Sequence, residues 1–168
     1  MQALAFSPDS RLLASLGNSS CGGSSLAFWD VQPAGCELAA GVQLPGAVAA
    51  LAWCMSGERA VLYTAGAQGL THWQLTQDDL ASTNVHLPAA LRGVPLTAVA
   101  WAEGEEAAAA RGSRWRPASQ GDAVLVGDAS GRAWLLDVDK GQDVRRSQLL
   151  AELPAQPVTH LAAAGPLD

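Results

Sequence analysis

The chain has 168 residues, 49% of them hydrophobic and 15% charged, with a formal net charge of −6 and a pI near 4.9. It is long enough to bury a sizeable core and too apolar to be disordered throughout. The acidic balance argues against nonspecific binding of the whole chain to nucleic acid or to an anionic membrane. No apolar run approaches the roughly 18 residues of a membrane span, and the first residues do not read as a basic-then-apolar signal segment. The three cysteines, Cys21, Cys36 and Cys54, lack C-x-x-C spacing and read as reduced thiols of a cytoplasmic protein. The match of Asn18-Ser19-Ser20 to a glycosylation acceptor is then chance.

In chain order, LAFS (4–7) leads through an SPDSR turn to LLASLG (12–17), a Gly/Ser stretch, and SLAFWDV (25–31). The same order returns as LAWC (51–54), MSGER, AVLYTAG (60–66) and LTHWQL (70–75). It returns again as VAWA (99–102), AEGEE, AVLVGD (123–128) and RAWLLDV (132–138). Phe6 and Trp53 are 47 residues apart, and Trp53 and Trp101 are 48 apart. A period in the forties points to repeated supersecondary units. The runs are short, apolar and bounded by Gly, Ser, Asp and Pro, which predicts strands. GDASG (127–131) suits a tight hairpin, with Gly tolerating positive φ and Asp bonding to nearby amides. A fourth strand per unit is expected in 36–44, 82–88 and 145–153, the last of which could equally be a helix. The expected units are 2–44, 47–88 and 96–153, with an incomplete one at 158–168 and a loop insertion at 104–121.

The strand, SPD-type turn, strand, hairpin and strand ending in Trp29-Asp30 resemble a blade of the WD-repeat family. Four such strands make one blade of a β-propeller in that family. The resemblance spans nearly the whole chain outside 104–121. It implies an all-β fold, a partial WD-repeat β-propeller of about three four-stranded blades plus the start of a fourth. Trp29, Asp30, Trp73, Trp134 and Asp137 would be its structural signature residues. The pattern departs from the family at Trp73-Gln74 and Leu136-Asp137, and no Gly-His dipeptide precedes a first strand. The His–Ser–Trp bond network of regular blades is therefore expected to be mostly missing, with apolar packing and strand pairing in its place. The paired hairpins GAQGLTHWQL and GDASGRAWLL also resemble the echinoderm-microtubule-associated-like propellers and their ciliary and centriolar relatives. That likeness implies a scaffold of cytoplasmic microtubule-based structures, with tubulin or centriolar and axonemal proteins as partners.

Candidate site residues are few. Trp29, Trp53, Trp73, Trp101 and Trp134 fall inside predicted strands, where packing between sheets explains them better than ligand stacking. Arg111, Arg114, Trp115 and Arg116 interleave cations with an aromatic, as a partner-binding loop would. A mobile insertion explains them as well, and trypsin should then cut first at one of these arginines. An initial cut inside 123–138 would misplace the insertion. His72, His86 and His160 have no metal-ligand spacing. Asp30 and Asp137 are expected to cap turns, and Glu103, Glu105 and Glu106 to be solvated. Nucleophile-elbow, phosphate-loop and dinucleotide motifs are absent, so neither catalysis nor a cofactor or metal is expected. The rival functions are a general adaptor in ubiquitin ligation or RNA processing, and a propeller hydrolase with clustered carboxylates. Repeat stability depends on neighbours, so the chain is expected to be part of a longer propeller and, alone, to be poorly soluble or to dimerise through exposed edges.

Overall fold

The computed structural model describes residues 3–18, 23–56, 59–76, 79–102, 121–153 and 156–161. The expected insertion and its four candidate contact residues Arg111, Arg114, Trp115 and Arg116 lie outside them. Among the described residues, twelve strands form three four-stranded antiparallel sheets, each a simple meander in chain order. The first blade holds β1 (Ala3–Phe6), β2 (Leu12–Asn18), β3 (Ser24–Gln32) and β4 (Gly35–Leu44). The second holds β5 (Val48–Ser56), β6 (Arg59–Gly66), β7 (Gly69–Leu75) and β8 (Leu80–Asn84). The third holds β9 (Leu96–Trp101), β10 (Gly121–Asp128), β11 (Arg132–Asp139) and β12 (Asp143–Glu152). The 145–153 stretch is thus a strand and not a helix. Residues 156–161 form no strand. Among the described residues, no helix is long and apolar enough to cross a membrane.

Local sequence explains the hairpins. In the first blade the Ser7 hydroxyl donates to Asp9 Oδ1 at 2.6 Å and receives the Leu12 amide at 2.9 Å. The Asp9 carboxylate also accepts from the Arg11 amide. The Ser7 bond first, and the Arg11 amide next, hold the Asp9 carboxyl below its usual range. In the third blade, Asp128 Oδ1 accepts the amides of Ser130 and Arg132 at 2.8 and 3.0 Å. Gly131 closes that turn at φ +87°, a region that costs a Cβ-bearing residue energy. The carboxylates that cap turns are therefore Asp9 and Asp128. Asp30 instead accepts from the Gln32 side chain, and Asp137 is buried inside β11, because strand pairing continues past both positions.

Each sheet has two unlike faces, and consecutive blades stack one kind against the other. The first blade turns Ala14, Leu26 and Phe28 towards Trp53, Leu62 and Trp73 of the second. The second turns Cys54, Tyr63, Ala65 and Leu70 towards Val99, Val124, Val126 and Leu136 of the third. We call these the tail and head faces. Alternation along the strands places them on opposite sides of one sheet. Phe28 meets Trp53 edge-on with ring centroids 5.9 Å apart, and the Trp53 indole donates to Ala5 O at 2.9 Å. Trp53 and Trp73 are thus packed between sheets as expected. Trp29 is not: it is half-buried on the head face of the first blade, outside the core clusters.

Candidate interaction site

A tryptophan in the third strand of each blade makes the same diagonal contact with the second strand. Trp29 Nε1 donates to Ser15 Oγ at 2.9 Å. Trp73 Nε1 donates to Thr64 Oγ1 at 2.9 Å. Trp134 Nε1 reaches Asp128 Oδ2 at 3.3 Å. In the first two blades the acceptor pairs with the residue two before the tryptophan, Ala27 or Thr71. Asp128 stands in the same relation to Arg132 at the hairpin end. The expectation that such bonds are mostly missing is corrected in one part only: each of the three blades keeps an indole bond from its third strand to its second. Among the described residues no histidine bonds to the acceptors Ser15, Thr64 and Asp128. The indole bonds persist because a short polar side chain at that diagonal can receive the indole N–H.

In the third blade the acceptor is a carboxylate, and more is built on it. Asp128 is fully buried, and its Oδ2 pairs with Arg132 Nε at 2.9 Å. The Arg132 guanidinium lies over the Trp134 ring, 5.6 Å from its centroid. One buried carboxylate thus joins turn, arginine and indole.

A second polar group sits in the seam between the second and third blades. The Tyr63 hydroxyl donates to Asp122 Oδ2 at 2.7 Å, both side chains being buried. The Tyr63 ring meets the His72 ring edge-on at 5.2 Å. The close approach of Gly141 to the His72 ring leaves no space for a Cβ at residue 141. Burial, and then the Asp122 charge, push the Tyr63 phenol and the Cys54 thiol far up. Both groups are packed inside the seam between the second and third blades. Nearby, the His86 amide donates to Gln142 O at 2.7 Å, and His86 Nδ1 pairs with Asp143 at 2.8 Å, tying the blades at the surface. His160 Nδ1 lies 3.1 Å from Oγ1 of its neighbour Thr159. Among the described residues no group of three or more His, Cys, Asp or Glu side chains could hold a metal ion. Arg145 pairs with Asp139 of its own blade.

Two outcomes follow from these environments. Cys36 is exposed and Cys54 buried. Alkylation of the native protein, followed by peptide mass spectrometry, should therefore modify Cys36 long before Cys54; equal rates would contradict the burial of the seam. Burial lowers the His72 pKa below its ordinary value, with the Asp122 charge opposing. The unfolded chain then takes up this proton first as pH falls. The seam's stability from His72 is complete above about pH 6.5 and declines as pH drops towards the lowered folded-state value. Urea midpoints measured from pH 7.5 to 5 should decline more in the native protein than in His72→Gln.

The exposed apolar side chains include Leu4, Phe6 and Leu38, at 52%, 59% and 60% exposure. All three lie on the head face of the first blade. Nothing in the strand pattern of Phe6 or Leu38 distinguishes this face from the covered ones.

Comparison with known proteins agrees with this architecture. A crystal structure of a protein from Lactobacillus plantarum, a propeller, superposes with a TM-score of 0.54 at 14% identity. The match covers 92% of this chain and 41% of that one. No family model matches. Over 87 residues, 52% of the chain, the sequence is 42% identical to centriole proteome protein 16 of Chlamydomonas reinhardtii. The matched stretch spans 4% of that protein's length. The chain has the all-β fold of a partial β-propeller, and about half of it is similar to a centriole proteome protein.

Proposed function

We propose that the chain is a non-catalytic protein-binding scaffold of a centriole, basal body or cilium. The observation that carries this reading is the 42% identity to a centriole proteome protein over 87 residues. The resemblance of its hairpins to microtubule-associated WD-repeat propellers points the same way. A rigid stack of blades, cross-linked by buried indole and carboxylate bonds, suits a scaffold that holds loops in fixed positions. The nucleophilic groups in the seam are locked in packing rather than presented to a substrate. Partners are other proteins, among them tubulin or centriolar and axonemal components.

Charge shapes how such a scaffold works. Tubulin is acidic and this chain carries −6. Repulsion between the two acts within the Debye length of about 8 Å at physiological salt. The blades therefore position a neighbouring basic segment or a partner protein and do not grip the lattice themselves. The test is to image the tagged native protein against centriolar markers, and to sediment the 168-residue chain with microtubules. Centriolar signal with the chain left in the supernatant is expected. A diffuse or nuclear signal would overturn the location, and salt-resistant pelleting would overturn the indirect contact.

A further inference from the structure

The two connections between successive blades differ in length. Residues 45–47 join β4 to β5, whereas 85–95 join β8 to β9 and include a single 3-10 turn at Ala89–Leu91. The longer connection is pinned as a wall. Val85 donates its amide to Leu70 O and His86 donates its amide to Gln142 O, while Leu87 and Leu91 are buried. Opposite stands the β6–β7 turn. Between the two lies a groove of about 340 Å³, with Gln68 and Gly69 on one side and Leu87, Leu91, Gly93 and Val94 on the other. That volume is at the lower end of the range for binding sites.

The floor of the groove is apolar, and its lining holds no carboxylate. Gly93, at φ +73°, presents bare backbone, and a Cβ added there would meet nothing within 4 Å. The neighbouring Arg92 is exposed and also lines the groove. Its Nε donates to Leu87 O at 3.0 Å, which fixes the guanidinium and leaves its two terminal nitrogens for another acceptor. Among the described residues no carboxylate pairs with Arg92. The other nearby groups that can carry positive charge are engaged, His86 with Asp143 and Arg132 with Asp128. An apolar floor is thus flanked by one oriented, uncommitted cation.

We propose that this groove binds an extended acidic segment of a partner protein. An apolar side chain of that segment sits over Leu87 and Leu91, and a Glu two residues further on pairs with Arg92. Side chains two apart in an extended chain point the same way and stand about 7 Å from each other, so one segment supplies both groups. A guanidinium and a carboxylate form charge-assisted, often bidentate, bonds, and the oriented Arg92 loses little freedom in making them. The chain's net charge of −6 opposes an acidic partner only weakly, because repulsion is screened beyond about 8 Å. The inference rests on the protein-binding reading of the chain and not on the centriolar location, which imaging tests separately.

NMR titration of the isotope-labelled full chain tests this, with the capped peptide acetyl-Gly-Leu-Ser-Glu-Gly-amide and its analogues carrying Val or Phe for Leu. At least one should give saturable shifts centred on the backbone amides of Gln68, Gly69, Gly93 and Val94 and on the Arg92 Nε–H. Exchanging the peptide's Glu for Gln, or Arg92→Gln in the protein, should weaken binding about tenfold, as expected for one charge-assisted bond. Gln68→Glu, which sets a carboxylate on the facing wall, should weaken it too. Both protein positions are exposed, so the rest of the spectrum should stay in place. Absence of saturable shifts with all of the peptides, or shifts centred elsewhere, would overturn the inference. So would binding indifferent to the Glu exchange and to both variants. Tighter binding of a peptide whose only carboxylate is its C-terminus would also overturn it, by giving the groove to chain ends.

Discussion

Asp128→Ala is expected to cost about 3–5 kcal/mol, because it breaks a buried charge pair and strands the groups that converged on it. The carboxylate is fully buried and accepts from two backbone amides, the Arg132 guanidinium and the Trp134 indole. Removing it leaves Arg132, whose side chain is only 24% exposed, without its anion. For a chain of this length each kcal/mol moves Tm by about 2–4 °C, so thermal unfolding should begin about 10 °C earlier. Asp128→Asn should fall between the two, since the amide oxygen can still cap the turn but carries no charge. An alanine variant that melts with the native protein would show that the carboxylate organises nothing.

Trp73→Ala should cost about 3–5 kcal/mol, the usual range for truncating a large buried aromatic. Trp73 is 5% exposed, packs with Phe28 and Leu62, and bonds Thr64. Trp29→Ala removes the same residue type from the same place in another blade and deletes the same kind of bond. Among the described residues no blade lies over Trp29, so its truncation in this chain should cost about half as much or less, because the area removed from water is smaller. Urea denaturation of the two variants side by side measures the difference. Equal losses would contradict the packing of Trp73 between the first two blades.

The strands were legible because their apolar runs are short and their ends carry turn chemistry. Asp128 and Gly131 could be given their roles from GDASG alone. The diagonal indole bonds could not be read in this way. Their partners are 14, 9 and 6 residues apart, since the hairpins differ in length, so no fixed spacing marks them. The repeat period also misleads in the third blade. Trp101 matches Phe6 and Trp53 by spacing, yet it pairs with Val124, whereas the strand-two residue opposite Trp134 is Val126, whose other partner is Val99. The equivalent position is two residues earlier, and the tryptophan has moved along the strand. The Tyr63–Asp122 bond joins residues 59 apart on different blades, which only the stacking of sheets brings together. Trp29 and Trp73 are alike in local sequence and differ in burial through what lies across from them.

The repeated indole bond is the claim on which the blade structure most depends, and hydrogen exchange of the tryptophan side chains reads it directly. Indole N–H signals can be assigned by single Trp→Phe variants and followed in D2O by NMR. Trp53 and Trp73, bonded and buried, should exchange slowest, with Trp29 and Trp134 slowed to a lesser degree by their bonds to Ser15 and Asp128. Exchange of the Trp73 indole at the rate of free tryptophan would contradict both the bond to Thr64 and the stacking of the first two blades.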